Sequence, residues 1–342
     1  MIEAHTLDAW TRHADRATIA FRNATILGGC AAPLFLWLAG VALVLSASSI
    51  TRRQGSRAAA VDAVCRRGLE VFILAFLFRL QAFIVSPGGH ALMLFRVDIL
   101  NIMGPAILIA GIVWGVSATP HVLVVVYSAI AALVALLTPV VRTAALVSSL
   151  PVFVQWYVRP AGELTTFTVF PWAGFVFAGA AVGTLVAASD DRKTETRVHS
   201  AVACAGLAIV ALGFYTASLP SIYRHSSFWT SSPTYFAIRV GLLMTLLAGA
   251  YAIGRLADRR GIVCRPLAQL GRRSLFVYWI HIELIYGYAT WPIHGRLPLW
   301  GTAIGCAVFS ALMYGAVVLT DRVVAWWRDR EREASMDAAA TA

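Results

Sequence analysis

A chain of 342 residues with 59% hydrophobic and only 13% charged residues falls well below the roughly 25% charged residues of soluble globular proteins. Its net charge of +11 would suggest nucleic acid in a soluble protein, but no basic stripe with interleaved aromatic residues lies on a soluble segment. The basic residues gather instead in the connections between apolar stretches, as they do in membrane proteins. Composition therefore excludes a soluble fold and argues against a nucleic-acid partner.

Nine apolar stretches follow one another along the chain, each close to the roughly 20 residues that cross a hydrocarbon core of about 30 Å. Their apolar pattern is continuous rather than alternating, which favours helices over β-strands. They cover residues 26–48, 68–86, 95–115, 121–139, 168–187, 199–219, 235–254, 275–292 and 299–320. The sequence therefore predicts an all-α polytopic membrane bundle of about nine helices, with one multi-pass domain over residues 1–322 and a cytoplasmic tail over residues 323–342.

The connections differ in charge on the two sides of the membrane. Of the 28 basic residues, 18 lie on one side, in segments 49–67, 188–198 and 255–274 and in the C-terminal tail. Because Lys and Arg concentrate in cytoplasmic loops, the C-terminus is predicted to be cytoplasmic and residues 1–25 extracytoplasmic. We expect the cell's inner or plasma membrane as the location.

The chain begins with Met-Ile-Glu-Ala-His, which resembles the last turn of a helix. We expect one further span upstream, which would raise the total to ten; the alternative is a short extracytoplasmic N-terminus. The five cysteines form no CxxC pair and none lies in an extracytoplasmic segment, so no extracytoplasmic disulfide is expected. No metal is expected either, because metal-ligand spacing is absent.

Polar residues inside apolar spans are costly to bury, so each is a candidate functional residue. Two of them, His281 and Glu283, lie near the middle of the eighth predicted span. Six more lie in the predicted outer half of the membrane: Arg79 and Gln81 in the second span, Arg96, Asp98 and Asn101 in the third, and Arg239 in the seventh.

Helical geometry divides the polar residues of the eighth span between two sides. At about 100° per residue, Tyr278, His281 and Tyr288 fall on one stripe, which is expected to face the bundle interior. Glu283 and Tyr286 fall on the opposite side.

Each of these polar residues also has a structural interpretation. Arg79, Arg96 and Asp98 can pair across neighbouring helices, because membrane bundles use polar side chains to hold helices together. Arg239 can extend to the membrane surface. His5, at the predicted outer face, could exchange a proton near neutral pH, although the residues alone favour an ordinary loop histidine.

Three motifs in order resemble one family. Residues 32–40 (APLFLWLAG) resemble the apolar-Pro-x-Phe-x-Phe-x-x-Gly span of the heparan-alpha-glucosaminide N-acetyltransferase catalytic-domain-like family. Residues 170–172 (FPW) resemble the opening of a later span, and residues 270–281 (LGRRSLFVYWIH) resemble that family's Leu-Gly-x-x-Ser-Leu-x-x-Tyr-x-x-His segment. The similarity covers most of residues 3–320. Residues 3–5 look like the end of the family's first span, whereas its Arg-x-x-x-Asp-x-x-Arg-Gly pattern is absent.

The resemblance implies an integral-membrane O- or N-acetyltransferase that takes an acetyl group from cytoplasmic acetyl-CoA and passes it to an extracytoplasmic sugar or glycan. Our hypothesis on this basis has three catalytic residues: His5 deprotonates the acceptor or carries the acetyl group, while His281 and Asp98 line the path between cofactor and acceptor. Arg96 and Asn101 would orient groups or stabilise an oxyanion.

The remaining predicted site residues are of two kinds. Those expected to line the path are Arg79, Gln81, Arg239, Tyr278 and Glu283. Those expected to bind the phosphates of coenzyme A are Arg259, Arg260, Arg272 and Arg273. The alternative for these four arginines is that they only set the topology of the chain.

Two other functions account for parts of the pattern. An ion-coupled transporter of a small solute would also use Arg, Asp, His and Glu within the membrane, although no clear internal repeat is present. A non-catalytic scaffold explains the spans and leaves the buried charges unexplained. The expected partners are the lipid bilayer and a sugar or glycan acceptor, and homo-oligomerisation stays open.

Overall fold

A computed structural model describes residues 1–87, 90–117, 119–263 and 265–341, with side chains to Glu331. Its described residues form helices and connections, with two isolated β-bridges and no β-strand. The α-helices are α1 (Ile2–Trp10), α2 (His13–Arg16), α3 (Ile19–Gly28), α4 (Ala31–Gln54), α5 (Arg57–Val85), α6 (Ile99–Val116), α7 (Pro120–Thr143), α8 (Val152–Val158), α9 (Val169–Ala187), α10 (Arg192–Ala217), α11 (Pro233–Arg259), α12 (Arg265–Arg272), α13 (Ser274–Tyr286) and α14 (Leu299–Thr341).

Eight helical segments of the described chain are long and apolar enough to cross a membrane. They are Ile19–Gln54, Arg57–Val85, Ile99–Val116, Pro120–Thr143, Val169–Ala187, Arg192–Ala217, Pro233–Arg259 and Leu299–Glu331. Each contains or overlaps one of the predicted spans, and the all-α polytopic membrane fold is confirmed.

The predicted span at 275–292 takes a different form. Helix α13 has only 13 residues, about 20 Å at 1.5 Å per residue, which is shorter than a hydrocarbon core. It ends because Gly287 adopts an extended conformation, after which the Tyr288 amide donates a hydrogen bond to the Val85 carbonyl at 3.3 Å. The apolar sequence continues, but the helix does not.

The C-terminal segment is more helical than the sequence suggests. Helix α14 has 43 residues and runs through Thr341, so residues 323–341, predicted as a tail, continue the last membrane helix. The chain divides into a smaller unit (Met1–Gly29, Ile84–Gly88 and Gly261–Ala342) and a larger unit (Cys30–Phe83 and Gly89–Arg260). The single domain over residues 1–322 stays a prediction.

The larger unit is built around α9, whose most apolar window is 72% buried. Its sequence is rich in Gly and Ala, and such small residues let helix backbones approach closely in membranes. Two positions show this directly: a Cβ on Gly179 would overlap the Trp37 carbonyl oxygen of α4, and one on Gly40 would overlap the Val176 carbonyl oxygen of α9. The α4–α9 contact therefore requires glycine from both helices.

We expect Gly179→Ala to destabilise the protein by about 1–3 kcal/mol, because the added methyl must push α4 and α9 apart. Gly249→Ala is the matched control, since no atom lies within 4 Å of its Cβ position in α11; it should be neutral or stabilising by about 0.5–1 kcal/mol. Thermal unfolding of the two variants in detergent measures the difference. Equal Tm values would contradict the close α4–α9 packing.

The smaller unit joins the start of the chain to its last third. Backbone hydrogen bonds connect Arg12 N to Leu297 O and Leu297 N to Trp10 O, both at 2.9 Å. The Leu299 amide donates to the Asp15 carboxylate at 2.7 Å, which ties the start of α14 to α2. Beneath this connection lies an apolar cluster of Ala9, Trp10, Val277, Ile285, Phe309, Met313 and Val317. Helices α1 and α13 are thereby held in place for the residues described next.

Candidate active site

Two histidines from opposite ends of the sequence meet in the smaller unit. The rings of His5 in α1 and His281 in α13 have centroids 5.2 Å apart, with their planes tilted by 50°. His281 is fully buried, and the Tyr278 ring lies edge-on to it at 6.0 Å. The structure thus brings together three predicted site residues, His5, His281 and Tyr278.

Hydrogen bonds determine which nitrogen of His5 carries the proton. The Tyr286 hydroxyl donates its single proton to Asp8 Oδ2 at 2.7 Å, since an ionised carboxylate only accepts. The 3.2 Å bond between that hydroxyl and His5 Nδ1 therefore has Nδ1–H as its donor. We assign His5 as the Nδ1–H tautomer, which leaves a lone pair on Nε2.

The tautomer of His281 follows from one contact. Its Nδ1 lies 2.6 Å from the Val277 carbonyl oxygen, which can only accept, so Nδ1 carries the proton. The Nε2 atom is buried and has no hydrogen-bond partner among the described residues. Both histidines of the pair therefore present an unprotonated Nε2.

The local environment keeps His5 neutral. Burial is the main reason that the pKa of His5 is lowered to about 4. His5 lies in α1, outside the eight candidate spans. At neutral pH the ring is therefore unprotonated at Nε2 and able to act as a base or nucleophile, consistent with the tautomer assigned from the hydrogen bonds.

A second polar cluster lies in the larger unit, at the start of α6. Asp98 forms a buried ion pair with Arg79 and caps α6, accepting from the Ile99 amide at 2.7 Å. Asn101 completes the capping box, because its Oδ1 accepts from the Asp98 amide at 2.9 Å. Its Nδ2 donates to the Tyr157 hydroxyl at 3.4 Å. Arg79 and Asp98 thus pair with each other, which is the structural role that the sequence analysis considered for them.

The position of this cluster corrects the third predicted span. That span was placed at 95–115, but α6 begins at Ile99. Arg96 and Asp98 therefore precede the helix instead of lying inside it, because the capping box fixes the first turn. Arg96 donates to Thr166 Oγ1 at 2.8 and 3.0 Å.

The other predicted path residues are divided between the two units. In the larger unit, Arg239 donates to the Tyr235 hydroxyl at 2.9 Å and covers its ring at 4.1 Å, while Gln81 is half-buried in α5. In the smaller unit, Glu283 is buried in α13.

The stripe predicted for residues 278–288 is partly wrong. Tyr278 and His281 do lie side by side, but Tyr288 follows the end of α13 and is 61% exposed. Tyr286, expected opposite His281, instead contacts His5, with ring centroids 5.6 Å apart. His5 lies close enough to both residues because α1 packs against the last turns of the short helix.

The four predicted coenzyme A arginines do not share one environment. Arg259 and Arg260 are exposed at the end of α11, in the larger unit. Arg272 is exposed at the end of α12, whereas Arg273 pairs with Asp321 of α14 at 2.6 Å. Binding of coenzyme A by these arginines stays a prediction.

Comparison with known proteins identifies the family. Residues 1–220 match the family described as heparan-alpha-glucosaminide N-acetyltransferase, catalytic. The chain belongs to this family. The match confirms the resemblance seen in the sequence and supports a membrane acetyltransferase in general terms. No curated protein matches the chain.

The matched residues of this N-acetyltransferase family member include His5 and the capping cluster at Asp98. His281 and the motif at 270–281 lie beyond the matched range, so their place in the site depends on the structure. Sequence reasoning missed Asp8 and assigned no role to Tyr286. One signal for Asp8 was available: it follows His5 by three residues and so shares its helical face.

Proposed function

We propose that the chain is an acetyltransferase that moves an acetyl group from cytoplasmic acetyl-CoA to a hydroxyl or amine of an extracytoplasmic sugar or glycan. The observation that carries this proposal is the pair of neutral histidines, half-buried His5 and buried His281, each with an unprotonated Nε2. The family match supports the same reaction type. His5 is the catalytic residue in this proposal.

Two routes use the lone pair of His5. In direct transfer, Nε2 takes the acceptor proton as the acceptor oxygen or nitrogen attacks the thioester carbonyl; the C–S bond breaks, and the proton leaves on the coenzyme A thiol. In the two-step route, Nε2 attacks that carbonyl and coenzyme A leaves as the thiolate. The acceptor then attacks the acetyl carbonyl and the C–Nε2 bond breaks. Nε2 takes the acceptor proton and releases it to balance the coenzyme A thiolate, which regenerates neutral His5.

Both routes place a positive charge on the His5 ring. Tyr286 and Asp8 stabilise that charge, because the Nδ1–H donates to Tyr286 and the hydroxyl donates to the carboxylate. In many hydrolases a carboxylate orients the catalytic histidine in a similar way. Here a tyrosine hydroxyl lies between the two groups.

The test uses membrane vesicles that contain the full-length protein and acetyl-labelled acetyl-CoA on the cytoplasmic face. We expect label to appear in extracted glycans, and transient label on the protein would identify the two-step route. Vesicles that contain the His121→Ala variant are the control, because His121 is an exposed histidine at the start of α7. Solute movement without consumption of acetyl-CoA would support a carrier and contradict the proposal.

A further inference from the structure

The larger unit contains a cavity of about 810 Å³ between α7, α9, α10 and α11, within the roughly 300–1,000 Å³ typical of ligand sites. All of its lining side chains are uncharged, and alanines such as Ala132, Ala181 and Ala237 leave the space open. Neither His5 nor His281 lines the cavity. Neither the proposed reaction nor the capping cluster uses it.

The cavity is long, and three exposed leucines line it. Along α7 its lining runs from Val124 to Leu136, twelve residues or about 18 Å at 1.5 Å per residue, more than half of the roughly 30 Å hydrocarbon core. Three lining leucines, Leu136, Leu185 and Leu212, are exposed at the surface of the unit. An extended hydrocarbon chain entering from the side fits this shape and lining.

One end of the cavity is polar and lies at the α10–α11 connection. Residues 218–232 join two candidate spans, so they lie near the membrane surface. Hydroxyl-bearing residues Ser221, Tyr223 and Ser226 line the cavity there. The exposed Trp229 packs against Phe228 at 5.2 Å, as expected for aromatic residues at headgroup level.

The charge at this end is positive. Exposed Arg224 and His225 lie between Tyr223 and Ser226, which both line the cavity. The sequence has no Asp or Glu between Glu195 and Asp258, so no acidic residue of that stretch offsets Arg224. A hydrocarbon slot that ends beside an arginine is complementary to an anionic amphiphile.

We propose that this cavity binds one acyl chain of an anionic glycerophospholipid, whose phosphate contacts Arg224. The acyl chain occupies the space between α7 and α11, and the glycerol region meets the hydroxyls at the polar end. The binding fills a cavity that would otherwise expose apolar side chains within the bundle.

The experiment is native mass spectrometry of the delipidated full chain, titrated with phosphatidylglycerol and, separately, phosphatidylcholine. We expect one tightly held phosphatidylglycerol per chain. Arg224→Gln should weaken phosphatidylglycerol binding about fivefold, because one arginine near a surface contributes roughly that factor, and should leave phosphatidylcholine binding unchanged. The matched control is Arg192→Gln, an exposed arginine at the other end of α10.

A second pair of variants tests the hydrocarbon slot. Ala132→Phe fills the cavity from an exposed position of α7 and should weaken binding of both lipids about tenfold, since each excluded methylene costs about fourfold in affinity. Ala211→Phe is the control, because Ala211 is exposed on α10 and does not line the cavity. Unchanged binding in Ala132→Phe, or full displacement of phosphatidylglycerol by inorganic phosphate, would overturn the proposal.

Discussion

Replacement of His5 by alanine is expected to lower the rate of acetyl transfer by two to four orders of magnitude. That is roughly the contribution of a positioned base, about 10²–10⁴-fold. The unprotonated Nε2 makes His5 the candidate for that base, and its ring centroid lies 5.2 Å from that of His281. The measurement is the initial rate of label transfer from acetyl-CoA in vesicles with matched protein content. Thermal unfolding of the variant in detergent shows whether it is folded.

Two comparisons make the His5→Ala result specific. His13→Ala removes an exposed histidine from α2 of the same unit and should leave the rate unchanged. Free imidazole should restore part of the activity of His5→Ala, since it can occupy the space left by the side chain and supply the same nitrogen. A folded His5→Ala protein with the native rate would rule out His5 as base or nucleophile.

Much of the fold could be predicted because the bilayer imposes it. An apolar run must form a helix to satisfy its own backbone, so eight segments followed from composition alone. Helix ends were harder, because they depend on local capping that hydropathy does not register. A capping signal was present, because Asp98 and Asn101 lie three residues apart at the start of an apolar run. The apolar residues at 91–95 nevertheless placed the predicted start of the helix too close to the N-terminus.

The short helix α13 shows a second limit. Its hydropathy gave no reason to stop at Tyr286, although Gly287 is a local stop signal. Tertiary structure adds to that signal. A Cβ at Gly287 would overlap the Glu283 carbonyl oxygen and lie 3.2 Å from that of Val85. The chain therefore turns away from the helix where the segment at Val85 approaches it, and residues distant in sequence determine where the helix ends.

The candidate site was predictable only in part. His5 and His281 came from a family resemblance and from the cost of burying an imidazole. Their contact joins positions 276 residues apart, which no periodicity reveals. The link between Asp8 and Tyr286 spans 278 residues, and the helical stripe placed Tyr286 on the wrong side. Tertiary packing of α1 against α13 brought these residues together.

Loss of the Tyr286 hydroxyl should slow acetyl transfer because it frees the His5 ring to change tautomer and orientation. We expect Tyr286→Phe to lower kcat about 10–100-fold, comparable with the loss when an orienting partner of a functional histidine is removed. Asp8→Asn should have a similar effect, and the double variant should be little worse than either single one, because both changes break one chain of hydrogen bonds. The control is Tyr288→Phe, because Tyr288 is an exposed tyrosine that follows the end of α13.

The pH profile separates this positioning role from a general loss of stability. Asp8 accepts from Tyr286, which accepts from the His5 ring, so we expect the carboxylate to favour the protonated ring and to raise the pKa of the acid limb of the rate. Asp8→Asn should therefore shift that limb to lower pH, whereas a variant that is only less stable should lose rate equally at every pH. Asp8→Glu, which keeps the charge, should return the limb toward its native position. Additive losses in Tyr286→Phe and Asp8→Asn with an unshifted limb would mean that the two residues support the fold and do not act through His5.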